Sequence, residues 1–428
     1  MAKKTTKSSG TSSTKTNVKR VTKAASKYDT SKSIVENSDA ISGMVTATAT
    51  SAKRSKDAKQ KKLFITLLVV IIVVALVGII VYGYYQGWFD AFLGKGNGGN
   101  GGGNGGGGGG DNIGGNGEVA DMSIHFIDLG NNSGDSVYIK AGDTDILIDA
   151  GAIKNNADQI RNYIKKYCTD NTLEYVIATH ADQDHIAAFV GSSTQKGILD
   201  TFTCENIIRF AKTNKSTSIV TDFLAKCETQ KAQGANYYTA LECYNNENGA
   251  KRIYDVANGI TMEILYQDYY ETKSSDENNY SVCLMFTQGN NHYLFTGDLE
   301  EAGEKSLVAK NPNLPKVELF KAGHHGSATS SNTVLLNVIQ PKYVVASCGA
   351  GDDYGFPRQD FIDRVAPFTD NVYVTGIFTS GYTMNGNVVF SCINDVITLQ
   401  CSNNNLKLKE TEWFKQYRTM PDAWKDEQ

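Results

Sequence analysis

Close cysteine pairs are missing from this 428-residue chain: its eight cysteines include no two nearer than nine residues. That spacing excludes a zinc ribbon or a redox Cys-x-x-Cys. Histidine is scarce, with only six residues, so any imidazole chemistry is confined to a few positions. Charge is absent from residues 63–89, and large apolar residues are few in 1–62. No internal repeat recurs at a period of about 20–50 residues, which argues against a solenoid or propeller.

The charge that is present is unevenly placed. Residues 1–62 carry 15 Lys/Arg against 4 Asp/Glu, so the net charge of −4 hides a basic segment of +11 and an acidic remainder of −15. The first 62 residues also hold 21 Ser/Thr, a composition that buries too little surface to offset the entropy of ordering. They are expected to be a disordered cytoplasmic tail. The uncharged stretch 63–89 has the roughly 20 apolar residues that a membrane-spanning helix needs. Lys53, Arg54, Lys56, Lys59, Lys61 and Lys62 precede it, whereas Lys95 alone lies near its far end. The positive-inside rule therefore places the N-terminus in the cytoplasm and the remainder outside the cell, with Tyr82, Tyr84, Tyr85 and Trp88 at the outer headgroups. In residues 94–117, 16 of 24 are glycine, which describes a flexible tether spanning about 25–30 Å. The chain thus divides into a tail (1–62), a transmembrane helix (63–89), a Gly/Asn-rich linker (90–117), a folded domain (118–402) and a C-terminal tail (403–428) whose aromatic residues suggest a docking helix.

All eight cysteines fall in the outer part, where disulfides are permitted, and buried free thiols are the alternative. Cys392 and Cys401 flank an expected strand pair and are the best candidates for a bridge.

Short apolar runs bounded by turn residues predict strands at 122–127, 136–139, 146–148, 175–178, 261–265, 281–286, 292–295, 317–320, 343–347, 372–375 and 388–393. Helical patterns lie between them at 156–167, from 186 onward, and at 218–230, 301–308, 331–338 and 358–365. This alternation predicts a layered α/β domain, with sheets inside and helices outside.

Four of the six histidines occur in two tight groups. The run His180-Ala181-Asp182-Gln183-Asp184-His185 follows a strand and opens a helix, crowding imidazoles and carboxylates onto one loop. Such donors hold divalent ions, and the packed carboxylates call for a cation. Asp149 ends one strand, where it can orient a ligating histidine, and Asp298 ends another; at either place an Asp often only makes a turn. His324-His325, flanked by Gly323 and Gly326, follows the strand at 317–320. His125 and His292 lie inside strands and read as structural.

Six motifs occur in order: Asp128-Leu129-Gly130 with Gly134-Asp135-Ser136; Ile148-Asp149-Ala150-Gly151; the His180–His185 run; Asn279-Tyr280-Ser281; Thr296-Gly297-Asp298-Leu299-Glu300; and Gly323-His324-His325-Gly326-Ser327. Together they resemble the metallo-β-lactamase superfamily, specifically the hydrolase domain of the ComEC-type competence proteins that act in DNA uptake, over about residues 121–393. The resemblance implies an αββα sandwich and one or two Zn2+ or Mn2+ ions. His180 and Asp182 would hold one ion, Asp184 and His185 the other, and Asp298 would bridge them. Asp149 would orient a ligand from behind, and Asp184 would also serve the catalysis. One of His324 and His325 would ligate and the other protonate the leaving group; the division taken is His324 as ligand and His325 as acid, though the sequence leaves the two interchangeable. The chain departs from the family where a Gly-His-Pro element is usual, reading Tyr354-Gly355-Phe356-Pro357 instead, and phenylalanine offers no donor.

The expected function is hydrolysis of a phosphodiester, in nucleic acid or a cell-envelope phosphate ester, outside the membrane. The −15 body disfavours nucleic acid, since backbone affinity comes from Lys and Arg, unless Lys212, Lys215, Lys251, Arg252 and Lys321 form a basic strip. A lactone, ester or amide hydrolase is the alternative within the same fold. A scaffold protein with a degenerate metal domain is the alternative outside it.

Overall fold

Fifteen strands in two sheets form the centre of the folded part, which the computed structural model describes for residues 119–130, 132–349, 354–377 and 384–425. The expected tail, span and linker at 1–117 lie outside the described residues. Among those residues no helix is long and apolar enough to cross a membrane.

The first sheet takes β1 (Met122–Phe126), β2 (Val137–Ala141), β3 (Thr144–Ile148), β4 (Thr172–Ala178), β5 (Thr203–Arg209) and β6 (Asn236–Thr239). The chain then builds the second sheet from β7 (Ile253–Ala257), β8 (Ile260–Leu265), β9 (Cys283–Gln288), β10 (Asn291–Phe295), β11 (Leu319–Lys321), β12 (Tyr343–Ala346) and β13 (Val372–Val374). It returns to the first sheet with β14 (Val388–Ile393) and β15 (Val396–Cys401), giving the orders β15-β14-β1-β2-β3-β4-β5-β6 and β13-β12-β11-β10-β9-β8-β7. β3 through β6 run parallel, as do β10 through β13.

The helices in chain order are α1 (Ala157–Ile164), α2 (Gln183–Val190), α3 (Ser218–Ala232), α4 (Ala240–Asn245), α5 (Glu301–Lys310), α6 (Thr333–Ile339), α7 (Gln359–Val365) and α8 (Glu412–Tyr417). Their apolar residues divide between two cores. One core joins Ile160, Ile164, Ile186, Phe189 and Phe223 of α1 to α3 with the residues between the sheets, where Phe126 stacks on Phe295 and Tyr293 meets Phe390 edge-on. The other joins Leu307, Leu335, Leu336, Phe361 and Phe414 of α5 to α8 to the outer face of the second sheet. Burying each such side chain contributes about 1.5–3 kcal/mol, and the outcome is a mixed α/β sandwich with helices on both outer faces, as the motifs implied.

The six expected helices form within a few residues of their predicted limits, and each buries part of one face against one of these cores. The C-terminal aromatics do form a docking helix: Trp413 and Phe414 of α8 are buried, and the buried Trp424 donates its Nε1–H to Thr369 O at 2.9 Å. β5, β6 and β7 are missed by the strand pattern, whereas β15 completes the strand pair expected between Cys392 and Cys401. One expectation is overturned. All eight cysteines are free thiols; the expected pair does not meet, because in the β14–β15 hairpin Cys392 pairs with Ile397 while Cys401 pairs with Val388 at the far end.

The parallel strands β3, β4, β10, β11 and β12 end on the same edge of the sandwich. In open α/β sheets the carboxyl ends of the strands are where binding crevices form.

Candidate metal centre

β3 ends at Ile148 and β4, its parallel neighbour, at Ala178, so Asp149 and Thr179 leave the sheet side by side. Asp149 N donates to Ile177 O at 2.8 Å. The loop after β3 is stitched to α2: Ala150 N donates to His185 O and Ala188 N to Ala150 O, both at 2.7 Å. Gly151 is required here, since a Cβ would lie 1.4 Å from Asp184 O. The second sheet contributes Asp298 just after β10, and Lys321, His324 and His325 at and after β11. Asp149 (φ 58°), His324 (φ 49°) and His325 (φ 55°) all adopt left-handed backbone, at a cost of about 1–2 kcal/mol each. Such strain is characteristic of functional sites.

Four imidazoles converge. His185 donates its Nδ1–H to Asp149 Oδ2 at 2.8 Å, leaving Nε2 3.1 Å from Asp298 Oδ2. His325 donates Nδ1–H to Ser347 O at 3.0 Å, and its Nε2 lies 3.2 Å from Asp298 Oδ2 and 3.3 Å from Asp184 Oδ2. His180 has Thr179 Oγ1 at 3.2 Å from Nδ1, while its Nε2 lies 3.7 Å from Asp182 Oδ2. His324 is partly exposed; its Nδ1 meets Thr329 Oγ1 at 3.2 Å and Glu300 Oε1 at 3.5 Å, and its Nε2 lies 3.9 Å from Asp298 Oδ2. Asp149 also accepts from Thr179 N and Thr179 Oγ1, both at 2.7 Å, so its role is to lock His185.

Charge divides the imidazoles. Burial, with His185 alongside, pushes His180 down to about 3, so this ring is neutral. Burial works in the same direction on His185 and His325, but the carboxylates outweigh it and hold both well above the usual histidine value: Asp298 and Asp149 for His185, Asp298 and Asp135 for His325. Burial would raise Asp298, yet His185, His325 and His324 keep it well below the usual carboxylate range. These residues fit a divalent ion. His180 Nε2 is buried without a hydrogen-bond partner, an arrangement costly unless something occupies its lone pair, and His325 Nε2 faces the carboxylates of Asp298 and Asp184. A cation would take the place of the protons that His185 and His325 otherwise hold.

A pocket of about 500 Å³ opens over the cluster, lined by Asp182, Asp184, Asp298, His324, His325, Lys215, Tyr354 and Phe356 among others. All eight of the expected site residues, Asp149, His180, Asp182, Asp184, His185, Asp298, His324 and His325, thus meet at one place, but their parts differ from the sequence reading. His325, not His324, has the buried Nε2 aimed at the carboxylates, while His324 faces the pocket. Phe356 packs against both rings, with centroids 5.7 Å from His324 and 5.8 Å from His325, and Tyr354 stacks on it.

The sequence reading missed Asp135 as a member of the cluster, although its ligand atom lies with those of His185, Asp298 and His325 within 4.8 Å. The Gly134-Asp135-Ser136 motif was its only signal. The expected basic strip is also corrected: Lys321 is buried in the centre, Lys215 pairs with Asp182 at 2.6 Å and Arg252 with Glu263 at 2.6 Å. His125 sits apart, bonded to Tyr163 Oη at 2.9 Å.

The profile of the Metallo-beta-lactamase superfamily matches residues 129–195, so over that stretch the chain is similar to that superfamily. Within it the similarity is to the ComEC-like competence proteins. Competence protein ComA of Neisseria gonorrhoeae is 39% identical over 107 residues, 25% of this chain and 15% of that protein. ComE operon protein 3 of Bacillus subtilis is 28% identical over 192 residues, 44% of this chain and 21% of that one. The chain therefore spans less than a quarter of the length of either relative. Among solved structures, the metallo-beta-lactamase fold protein YhfI from Bacillus subtilis is 13% identical with a TM-score of 0.36, covering 63% of this chain and 99% of that one.

Proposed function

We propose that this chain is a metal-dependent hydrolase of phosphodiester bonds, carried outside the cell on the single span at 63–89. The observation that carries the reading is the buried, unpartnered His180 Nε2, together with His325 Nε2 facing the carboxylates of Asp298 and Asp184 at the floor of an open pocket. His180 and Asp182 would hold one ion, and Asp184, His185 and His325 another, with Asp298 between. When bound, Zn2+ or Mn2+ would activate water and neutralise charge on the transferring group.

The chain's own residues supply orientation and a proton. Asp149 turns His185 so that Nε2 faces inward, and Ser347 O does the same for His325. His324, exposed to the pocket and held through Nδ1 by Thr329, is the group that protonates the leaving oxygen. Glu300 beside it is drawn down to about 2, its burial outweighed first by the hydrogen bond from His324, so it remains an acceptor for that ring. The phosphodiester assignment draws on the competence-protein relatives, and the −15 charge of the body favours a small or cell-envelope ester over long nucleic acid.

The purified full chain should contain at least about one equivalent of Zn2+ or Mn2+ and hydrolyse bis-p-nitrophenyl phosphate, with activity lost in His180→Ala. Less metal together with no hydrolysis overturns the reading, and would favour a binding domain, to which the donorless Phe356 against both imidazoles already points. Turnover of lactones but not of the diester would move the substrate to the ester class. Protease added to intact cells should release the body by cutting within 94–117; protection of the body would reverse the topology.

A further inference from the structure

Lys321 is 2% exposed at the end of β11, although the sequence places it beside two histidines as one more basic residue. Its Nζ lies 2.5 Å from Asp135 Oδ2, a contact held by charge, and donates to Ala322 O at 3.0 Å and Gly297 O at 3.2 Å. An ammonium has three protons; two go to these carbonyls and the charge itself is met by Asp135. Neither Lys321 nor Asp135 lines the pocket, whereas Asp298 and His325 do. A lysine so enclosed is no proton donor to a substrate.

Its surroundings assign it another part. Asp135 lies on the Nδ1 side of both inner imidazoles, 3.5 Å from His325 Nδ1 and 3.7 Å from His185 Nδ1, while Asp298 Oδ2 lies on the Nε2 side. The other oxygen of Asp298, Oδ1, is 3.7 Å from the ammonium. Asp135 N also donates to Asp184 O at 3.1 Å, so the pair is built into the same loop as the ligands. We infer that Lys321 is a resident cation behind the metal centre: it withholds Asp135 from the metal and occupies the Oδ1 side of Asp298, so that Oδ2 alone is presented toward His185 and His325. The inference rests on the metal-hydrolase reading above.

Such a cation opposes binding of a second positive charge, and Asp135 offsets it. The two residues therefore act on metal affinity with opposite signs, which a purely structural pair does not. Isothermal titration of Mn2+ into the purified full chain reads this. Lys321→Gln, which keeps donors for the two carbonyls, should bind Mn2+ about tenfold more tightly, and Asp135→Asn about tenfold more weakly, the scale of changes just outside a metal's ligands. The double variant should return to within about threefold of wild type, since removing both members of a buried pair leaves no charge uncompensated. Weakening by both single variants overturns the inference. Should a single variant fail to fold, the double variant decides: affinity within threefold supports the pair as a charge device, and loss of tenfold or more overturns it. A wild-type chain that binds no Mn2+ overturns this inference together with the metal-hydrolase reading, whereas binding with the wrong signs overturns this one alone.

Discussion

The back and the mouth of the pocket are built on opposite terms. At the back, Asp135, Asp149, His185, Asp298, Lys321 and His325 are all buried, and each imidazole and carboxylate owes its charge state to its neighbours. At the mouth, Asp182, Asp184, His324, Lys215 and Tyr354 reach solvent and keep atoms free. In the buried half a lost partner strands a charge; at the rim water replaces it. The back is therefore suited to holding a cation in fixed geometry, and the mouth to meeting a substrate and exchanging protons.

The comparison breaks most readily at the back. Asp298→Ala should lower divalent-metal affinity by more than about 100-fold, beyond the usual range for residues that only orient ligands, and hydrolysis should fall with it; titration of metal into the variant measures this. His324→Gln, at the mouth, should instead lower kcat by about 100-fold, the scale of a lost proton donor, with metal content by elemental analysis unchanged. Loss of metal in that variant would return His324 to the ligand set. Asp149→Asn should weaken metal binding by about 10- to 100-fold with the fold intact by circular dichroism.

A carboxylate with no such cation cluster around it sharpens the contrast. Glu304, on α5, accepts from Ser331 N at 2.6 Å and Asn332 N at 2.8 Å beneath the His324–His325 loop. Burial outweighs these amides and lifts its pKa from 4.5 to about 7. The fold therefore holds a proton that the unfolded chain releases, so this group's share of stability is fully present below pH 4.5 and is lost as pH rises to about 7. The loss amounts to at most roughly 3 kcal/mol. Urea unfolding at pH 5 and pH 8 should show it, and Glu304→Gln should flatten the dependence. The smallest effect belongs to the rim: Lys215→Ala breaks a partly exposed pair with Asp182, for which about 0–1 kcal/mol is usual, so stability should barely change while KM for the diester rises a few-fold.

Much of the site is legible in sequence because it is local. The run from His180 to His185 needs only a strand that ends and a helix that begins, so four donors on one loop are visible as a pattern. The six helices are legible for a similar reason, since each is a local segment bounded by turn residues. β5 and β6 are not, because a strand bearing mixed polar residues is stabilised by its neighbours in the sheet rather than by its own composition. The disulfide expectation fails on register: nine residues suit a bridge in length, but the hairpin sets Cys392 and Cys401 at opposite ends.

What the sequence by itself determined is the class of chemistry, since imidazoles and carboxylates at these spacings admit few uses, and the superfamily that the motifs resemble. The tertiary structure alone decided how the roles are shared. Asp135 and Lys321 stand 186 positions apart and meet only because one sheet packs on the other, and His324 and His325 are chemically identical until the backbone turns one inward and leaves the other facing the pocket. The physical reason is burial, which no residue carries in its own formula: it sets which atoms lose water, and with that which charges require a partner.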